Sequence, residues 1–470
     1  MNTLIKNGTL ITASETFQAD ILVEDEKISL IGRDLEHPNA DIINAAGRLI
    51  MPGGIDPHVH LDLPMFGTVS SDDHYTGHKA AAFGGTTTVM DFVVLEKEGF
   101  QHSVDIWMKM AEKAAIDYSF HMNLTRFDDA IMKDIPSLRE MGITTLKVFT
   151  AYTGRLRIDD GSIFKAMQIA RDNGMLVMAH CENGDVIDTL VEQALAEGHT
   201  TPEWHALTRP GWGAVESTLR VAGMASAADA SVYIVHMNMG GEVDMLQYAR
   251  ERGVKVMGET CPQYLFFTID DLRREDGSKW ICSPPMRSAE DNARLWEGLN
   301  QGILQTVGTD HCPFFFDGTQ PIVYEGSEIA IPGKELGKAD FTKIPNGLPG
   351  IEDRLPVLWT TGVRSGRITA NQFVAYNSTN PAKIFGLYPR KGALLPGSDA
   401  DIVIWDPEKK VTYGVARAHQ RTDYNLYEGW ELTGMPEMVF LRGKLIVNGD
   451  QWLGKRGEGS FLKRSEGEIL

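Results

Sequence analysis

The middle of this chain alternates strand-like and helix-like segments eight times, and few folds accept that pattern. Short runs rich in Val, Ile, Met and Phe fall at 55–60, 86–92, 118–124, 143–149, 175–180, 231–236, 254–259 and 303–309. Helical periodicity lies between them, as in Ser162 to Asn173, Ala214 to Ala228 and Glu242 to Arg252. Parallel strands need a crossover between them, so the repeat implies a parallel sheet covered by helices. Eight units is the count of a closed (β/α)8 barrel. An open doubly wound sheet competes, but it wants a Gly-rich dinucleotide turn after an early strand, and none stands in that context.

Both ends of the chain read differently. Leu4 to Ile11 carries a central Asn7-Gly8, a hairpin signal, and 19–23 and 27–32 continue the strand pattern. Residues 400–405 and 438–449 look similar. The expected fold is therefore α/β: a (β/α)8 TIM-like barrel over 51–392, with a small β-sandwich built from 1–50 and 393–450. The tail, 451–470, is rich in Gly and charge and is expected to be mobile or to bridge subunits.

Barrel active sites gather where strands end. His58 and His60 close the first run, two residues apart and so on one face of a strand. Lys147 lies on the fourth run, His180 ends the fifth, His236 ends the sixth and Asp310 follows the eighth. One His-x-His is a weak signal; five runs each delivering a metal-competent or unusual polar residue to one end is a strong one. Lys147 alone reads more readily as an exposed or paired lysine, because burial penalises the charge. Four histidines, a carboxylate and a lysine turned into a carbamate by carbon dioxide can hold two divalent ions. Two metals roughly 3.5–4 Å apart can share a hydroxide and polarise a carbonyl. Asp310 can ligate one of them and carry the proton to the leaving nitrogen.

Composition narrows the partners. The 470 residues carry a net charge of -19, which argues against nucleic acid and anionic membrane as partners. No apolar run approaches the length of a membrane span, and the first residues lack a signal-peptide pattern. Cys181, Cys261, Cys282 and Cys312 are scattered without a Cys-x-x-Cys spacing and read as reduced thiols of a cytoplasmic protein.

The run Pro52-Gly53-Gly54-Ile55-Asp56-Pro57-His58-Val59-His60 resembles the opening motif of the amidohydrolase superfamily. Extended through Leu61 to Asp73, it is similar to the D-hydantoinase and dihydropyrimidinase family. Further matches are 82–87, Lys147 to Tyr152, Glu259 to Leu265, Ser283-Pro284-Pro285, Thr309 to Pro313 and Pro345 to Gly350. The resemblance covers nearly the whole chain. It implies that His58, His60 and Asp310 bind the more buried metal and His180 and His236 the other, with a carboxylated Lys147 bridging them. It implies that Tyr152 donates to the developing oxyanion, and that Ser283 and Asn346 fix a cyclic amide, largely through backbone groups. The implied reaction opens hydantoins or dihydropyrimidines to N-carbamoyl amino acids, with zinc ahead of manganese, in a homotetramer or homodimer.

Leu63, Phe66, Leu95 and Phe149 are expected to line an apolar pocket for the ring's substituent, Leu63 and Phe66 shaping its preference. As a set, the four histidines leave little room for a purely structural role, although Tyr152 taken alone could be a core tyrosine. The remaining histidines read as ordinary, and His311 as a structural neighbour of Asp310. The stretch 314–338 reads as longer than the family pattern, lying either over the barrel mouth or away from the site. No arginine follows the His-x-His, which disfavours a dihydroorotase and its acidic substrate. An allantoinase remains an alternative, and so does a non-catalytic assembly protein, which would have lost ligands.

Overall fold

The computed structural model describes residues 2–65 and 67–470. Its centre is an eight-stranded parallel sheet running in chain order. The strands are Gly54–Val59, Thr86–Val94, Asp117–Asn123, Thr145–Phe149, Leu176–His180, Val232–Ile234, Val256–Thr260 and Thr306–Val307. The first five are buried along nearly their whole length, as strands covered on both faces must be. Helices follow most of them, among them Asp160–Asp172, Gly211–Ala228 and Gly240–Arg250. Each begins two or three residues before its apolar periodicity. Asp159 shows why: its side chain accepts the Ser162 N–H and starts the helix at its cap.

The eighth strand was expected over 303–309 and spans only Thr306–Val307. The residues just after it bond across the seam, to the end of the first strand. Asp310 N–H donates to His58 O at 2.9 Å and His60 N–H to His311 O at 2.8 Å, which closes the barrel. Arg354, fully buried, donates from one guanidinium nitrogen to Ile55 O and Val307 O and so clasps the same seam from below. Asp56 accepts from Thr309 Oγ1 at 2.7 Å, fixing the loop that carries Asp310.

The termini meet in one nine-stranded sheet, where Ile402–Thr412 pairs with Leu49–Pro52. This sheet has a core of its own, including Ile5, Ile21, Ile50, Ile402 and Phe440. The Asn7-Gly8 hairpin does not form. Asn2–Ile11 is one strand with a bulge at that point, Asn7 sitting at φ 65° with its N–H on Asp20 Oδ1. The same preference for positive φ that makes Asn-Gly a turn signal makes it a bulge when both flanks already have partners.

The tail lies on its own barrel rather than free. Leu462 N–H donates to Tyr118 O at 2.7 Å, and the buried Arg464 donates to Phe120 O and to Thr145 Oγ1. Leu462 joins Ile384, Phe385 and Leu387 in an apolar cluster with Met90, Met178 and Met257, which floors the barrel at the strands' N-terminal ends.

Candidate active site

At the opposite end the strands deliver their polar residues to one place. The His58 and His60 rings lie 5.3 Å apart, His180 and His236 4.7 Å, and His58 and His236 5.4 Å, so the two pairs adjoin. Asp310 Oδ1 is 3.2 Å from His58 Nε2 and 3.0 Å from His60 Nε2. His180 Nδ1 faces His236 Nε2 at 3.0 Å. Ligand atoms of His58, His236 and Asp310 all fall within 4.8 Å of one another. Lys147 stands among them, almost fully buried, its Nζ 5.1 Å from the Phe92 ring centre and 5.2 Å from that of Phe149.

The electrostatics follow from burial. Desolvation pushes the Lys147 amine down to about 8. It also drives the imidazoles of His58 and His236 well below their ordinary range, which leaves ring nitrogens free to act as ligands. Burial works against a charge on Asp310, but His58 and His60 outweigh it and hold the carboxyl below its usual value. Burial and the Glu182 carboxylate raise the Tyr152 hydroxyl, so it stays protonated as a donor.

Three site residues also have left-handed backbone. His236, Asp310 and Tyr152 take φ of 37°, 53° and 67°, a region that costs a residue with a Cβ and is tolerated where surroundings enforce it.

Four residues that the sequence did not mark complete the site. Glu259 Oε1 binds His58 Nδ1 at 2.7 Å and accepts the His236 N–H, while its other oxygen accepts from Tyr233 OH. That arrangement leaves His58 Nε2 to face inward. Glu182 does the same for His180, binding Nε2 at 3.0 Å and leaving Nδ1 for the centre. Its position two residues past His180 repeats the one-face spacing of His58 and His60 and could have revealed it. Phe92 stacks beneath His60 at 4.9 Å. His205, read as ordinary, approaches Ser283 Oγ at 3.1 Å.

Above this group is a cavity of about 230 Å3. Tyr152, Ser283 and Asn346 line it, and Asn346 Nδ2 donates to Ser283 Oγ at 3.1 Å. Leu63 and Phe149 face it as expected. Leu95 does not: it sits in the helix-packed core and Val94 takes the cavity position, a one-residue slip at a strand end. Phe66 lies outside the described residues. Met65, Arg155 and Leu156 also contribute. No described residue of 314–338 lines the cavity. That stretch forms a hairpin, Ile322–Tyr324 with Ser327–Ile329, whose Tyr324 OH donates to His419 O.

A barrel that gathers four imidazoles, a carboxylate and a buried amine at its strand ends defines an enzyme with a centre able to hold divalent metal. The residue set fits such ions. The His60 and His236 Nδ1 atoms are buried with no hydrogen-bond partner, and ligand atoms of His58, His236 and Asp310 converge on one point.

The model of the amidohydrolase family matches residues 49–446. The chain is 44% identical over 471 residues to D-hydantoinase of Geobacillus stearothermophilus, covering 99% of this chain and 97% of that one. It is 41% identical over 478 residues to D-hydantoinase of Streptomyces coelicolor, covering 100% of this chain and 99% of the relative. The crystal structure of dihydropyrimidinase from Brevibacillus agri superimposes with a TM-score of 0.95 at 46% identity, over 100% of both chains. The chain belongs to the amidohydrolase family, and it is a hydrolase acting on cyclic amides.

Proposed function

We propose that the enzyme opens 5-substituted hydantoins and dihydropyrimidines to N-carbamoyl amino acids at a centre of two divalent ions. The observation that carries this is Lys147, buried between two histidine pairs whose rings adjoin. A lysine there is costly as a cation and useful as an anion. At about 8 its amine is neutral often enough to react. The Nζ lone pair bonds the carbon of carbon dioxide, an N–H proton leaves, and a carbamate remains.

His58, His60 and Asp310 would hold one ion and His180 and His236 the other, with the Lys147 carbamate shared between them. Imidazole and carboxylate donors suit zinc first and manganese second. When bound, such ions polarise an amide carbonyl and acidify water. The chain's own groups do the rest. Tyr152 donates its hydroxyl hydrogen to the oxygen that gains charge, as a preorganised donor. Asp310 Oδ takes the proton of the attacking water and returns it to the departing ring nitrogen. Ser283 and Asn346 hold the ring edge. Leu63, Met65, Val94, Phe149 and Leu156 exclude water and favour an apolar substituent, which supports a hydantoin or dihydropyrimidine over allantoin.

Among the described residues no helix is long and apolar enough to cross a membrane. Four buried free thiols support a cytoplasmic location, and the family resemblance supports a homotetramer. The test is initial rates on dihydrouracil and on a 5-aryl hydantoin, with product identified by mass. An N-carbamoyl acid from either ring supports the reading; an intact ring in both cases, with metal present, refutes it.

A further inference from the structure

The segment 314–338 contributes nothing to the cavity wall, yet it sends one side chain to the back of that wall. Lys334 is almost fully buried, at 1% exposure. Its Nζ donates to Ile281 O at 3.0 Å and to Pro345 O at 3.1 Å. Both acceptors are backbone carbonyls rather than carboxylates, an unusual pairing for a buried lysine. The Lys334 N–H in turn donates to Phe315 O at 2.7 Å. The Asp423 carboxylate accepts the N–H groups of Phe316 and Asp317, which ties down the start of the segment.

The two carbonyls belong to the two loops that carry Ser283 and Asn346. Gly347 N–H also donates to Ile281 O at 3.0 Å, so the loops meet at one oxygen and Lys334 joins them at a second point. In a planar trans peptide the N–H lies opposite the C=O. Holding Ile281 O and Pro345 O from behind therefore sets the direction of the Cys282 and Asn346 N–H groups, and both residues line the cavity.

We propose that Lys334 is a positioning residue: it staples the 281–283 and 345–347 loops so that their backbone presents one fixed edge to the cyclic amide. This rests on the proposed role of Ser283 and Asn346. The staple needs two N–H groups for two carbonyls, which the side chain has as an amine or as an ammonium. Burial pushes the amine down to about 7, against the pull of Cys282, Cys312 and Asp423. Cys282 and Cys312 are themselves buried and pushed upward, so they stay neutral and Asp423 is the facing charge.

The test is steady-state kinetics of Lys334→Met and Lys334→Gln on whichever ring the wild type opens, with melting temperature and metal content beside it. Lys334→Met should raise KM at least tenfold, leave kcat within threefold and keep the metal. Lys334→Gln, whose amide keeps two N–H donors without a charge, should bring KM back to within about threefold. An unchanged KM in Lys334→Met overturns the proposal. So does a parallel fall of kcat and metal content, or a glutamine variant no better than the methionine one. Should Lys334→Met not fold, Lys334→Gln decides against wild type: folded, metal-replete Lys334→Gln should hold KM within about threefold, and a tenfold rise overturns the staple. A wild type that opens neither ring would instead remove the underlying reading of the site.

Discussion

The two ends of the barrel spend buried charge in opposite ways. At the strands' N-terminal ends, Lys391 Nζ lies 2.6 Å from Asp117, 2.7 Å from Asp401 and 3.0 Å from Asp399. Arg442 donates to Asp117, and Thr87 to Asp401. These partners join the barrel to the terminal sheet, and the cation meets more than enough anion. At the other end Lys147 faces aromatic rings, and the Nδ1 atoms of His60 and His236 lack partners. The same residue type is locked in one place and left unsatisfied in the other. Satisfied charge marks the end that holds the fold together, and unsatisfied polarity marks the end that awaits ligands.

Substitutions at matched positions sharpen that contrast. Lys147→Ala should cut ring opening by more than about 10³-fold, on the order of 4 kcal/mol of barrier, while melting temperature holds. A variant that melts early with activity per folded molecule intact would place Lys147 with the structural lysines. Lys391→Met should do the reverse, costing about 3–5 kcal/mol of stability because three buried carboxylates lose the cation they share, with kcat/KM of the folded fraction retained. Equilibrium denaturation measures it.

The joint also carries a pH signature. Burial opposes the charge of Asp399, but Lys391 and Lys27 hold the carboxyl down to about 2. A depressed carboxyl contributes stability that is present above its unfolded value near 3.9 and is lost as pH falls toward about 2. The acid side of the melting profile should therefore flatten in Lys391→Met; an unaltered slope there breaks the assignment.

Tyr152→Phe should lower kcat by about 10²–10³-fold with little change in stability, as removal of one oxyanion donor does. A loss confined to KM would make it a wall of the cavity instead. Leu63→Ala is the smallest effect, shifting the preference between bulky and small 5-substituents by about 1–3 kcal/mol. Unchanged relative rates would remove Leu63 from the specificity wall.

The barrel and the clustering of its candidate ligands were legible because both ride on local signals. Each strand announces itself by an apolar run, and His58, His60, Lys147, His180, His236 and Asp310 lie on or next to those runs. What escaped is set by contacts between distant segments. Glu259 meets His58 from 201 residues away, and Lys334 reaches Ile281 from 53 residues away. The exchange of Leu95 for Val94 is a register choice made at a strand end, where the alternation stops being enforced. Asn7-Gly8 kept its backbone preference and lost only its topology, because the flanking strands pair elsewhere.

The most direct test of the account is metal content per chain in wild type and Lys147→Ala, purified in the presence of bicarbonate and assayed for ring opening. About two divalent ions per wild-type chain and ring opening are expected, with loss of both in the variant. Wild-type protein that binds no metal and opens no ring after bicarbonate and divalent ions are supplied would contradict it.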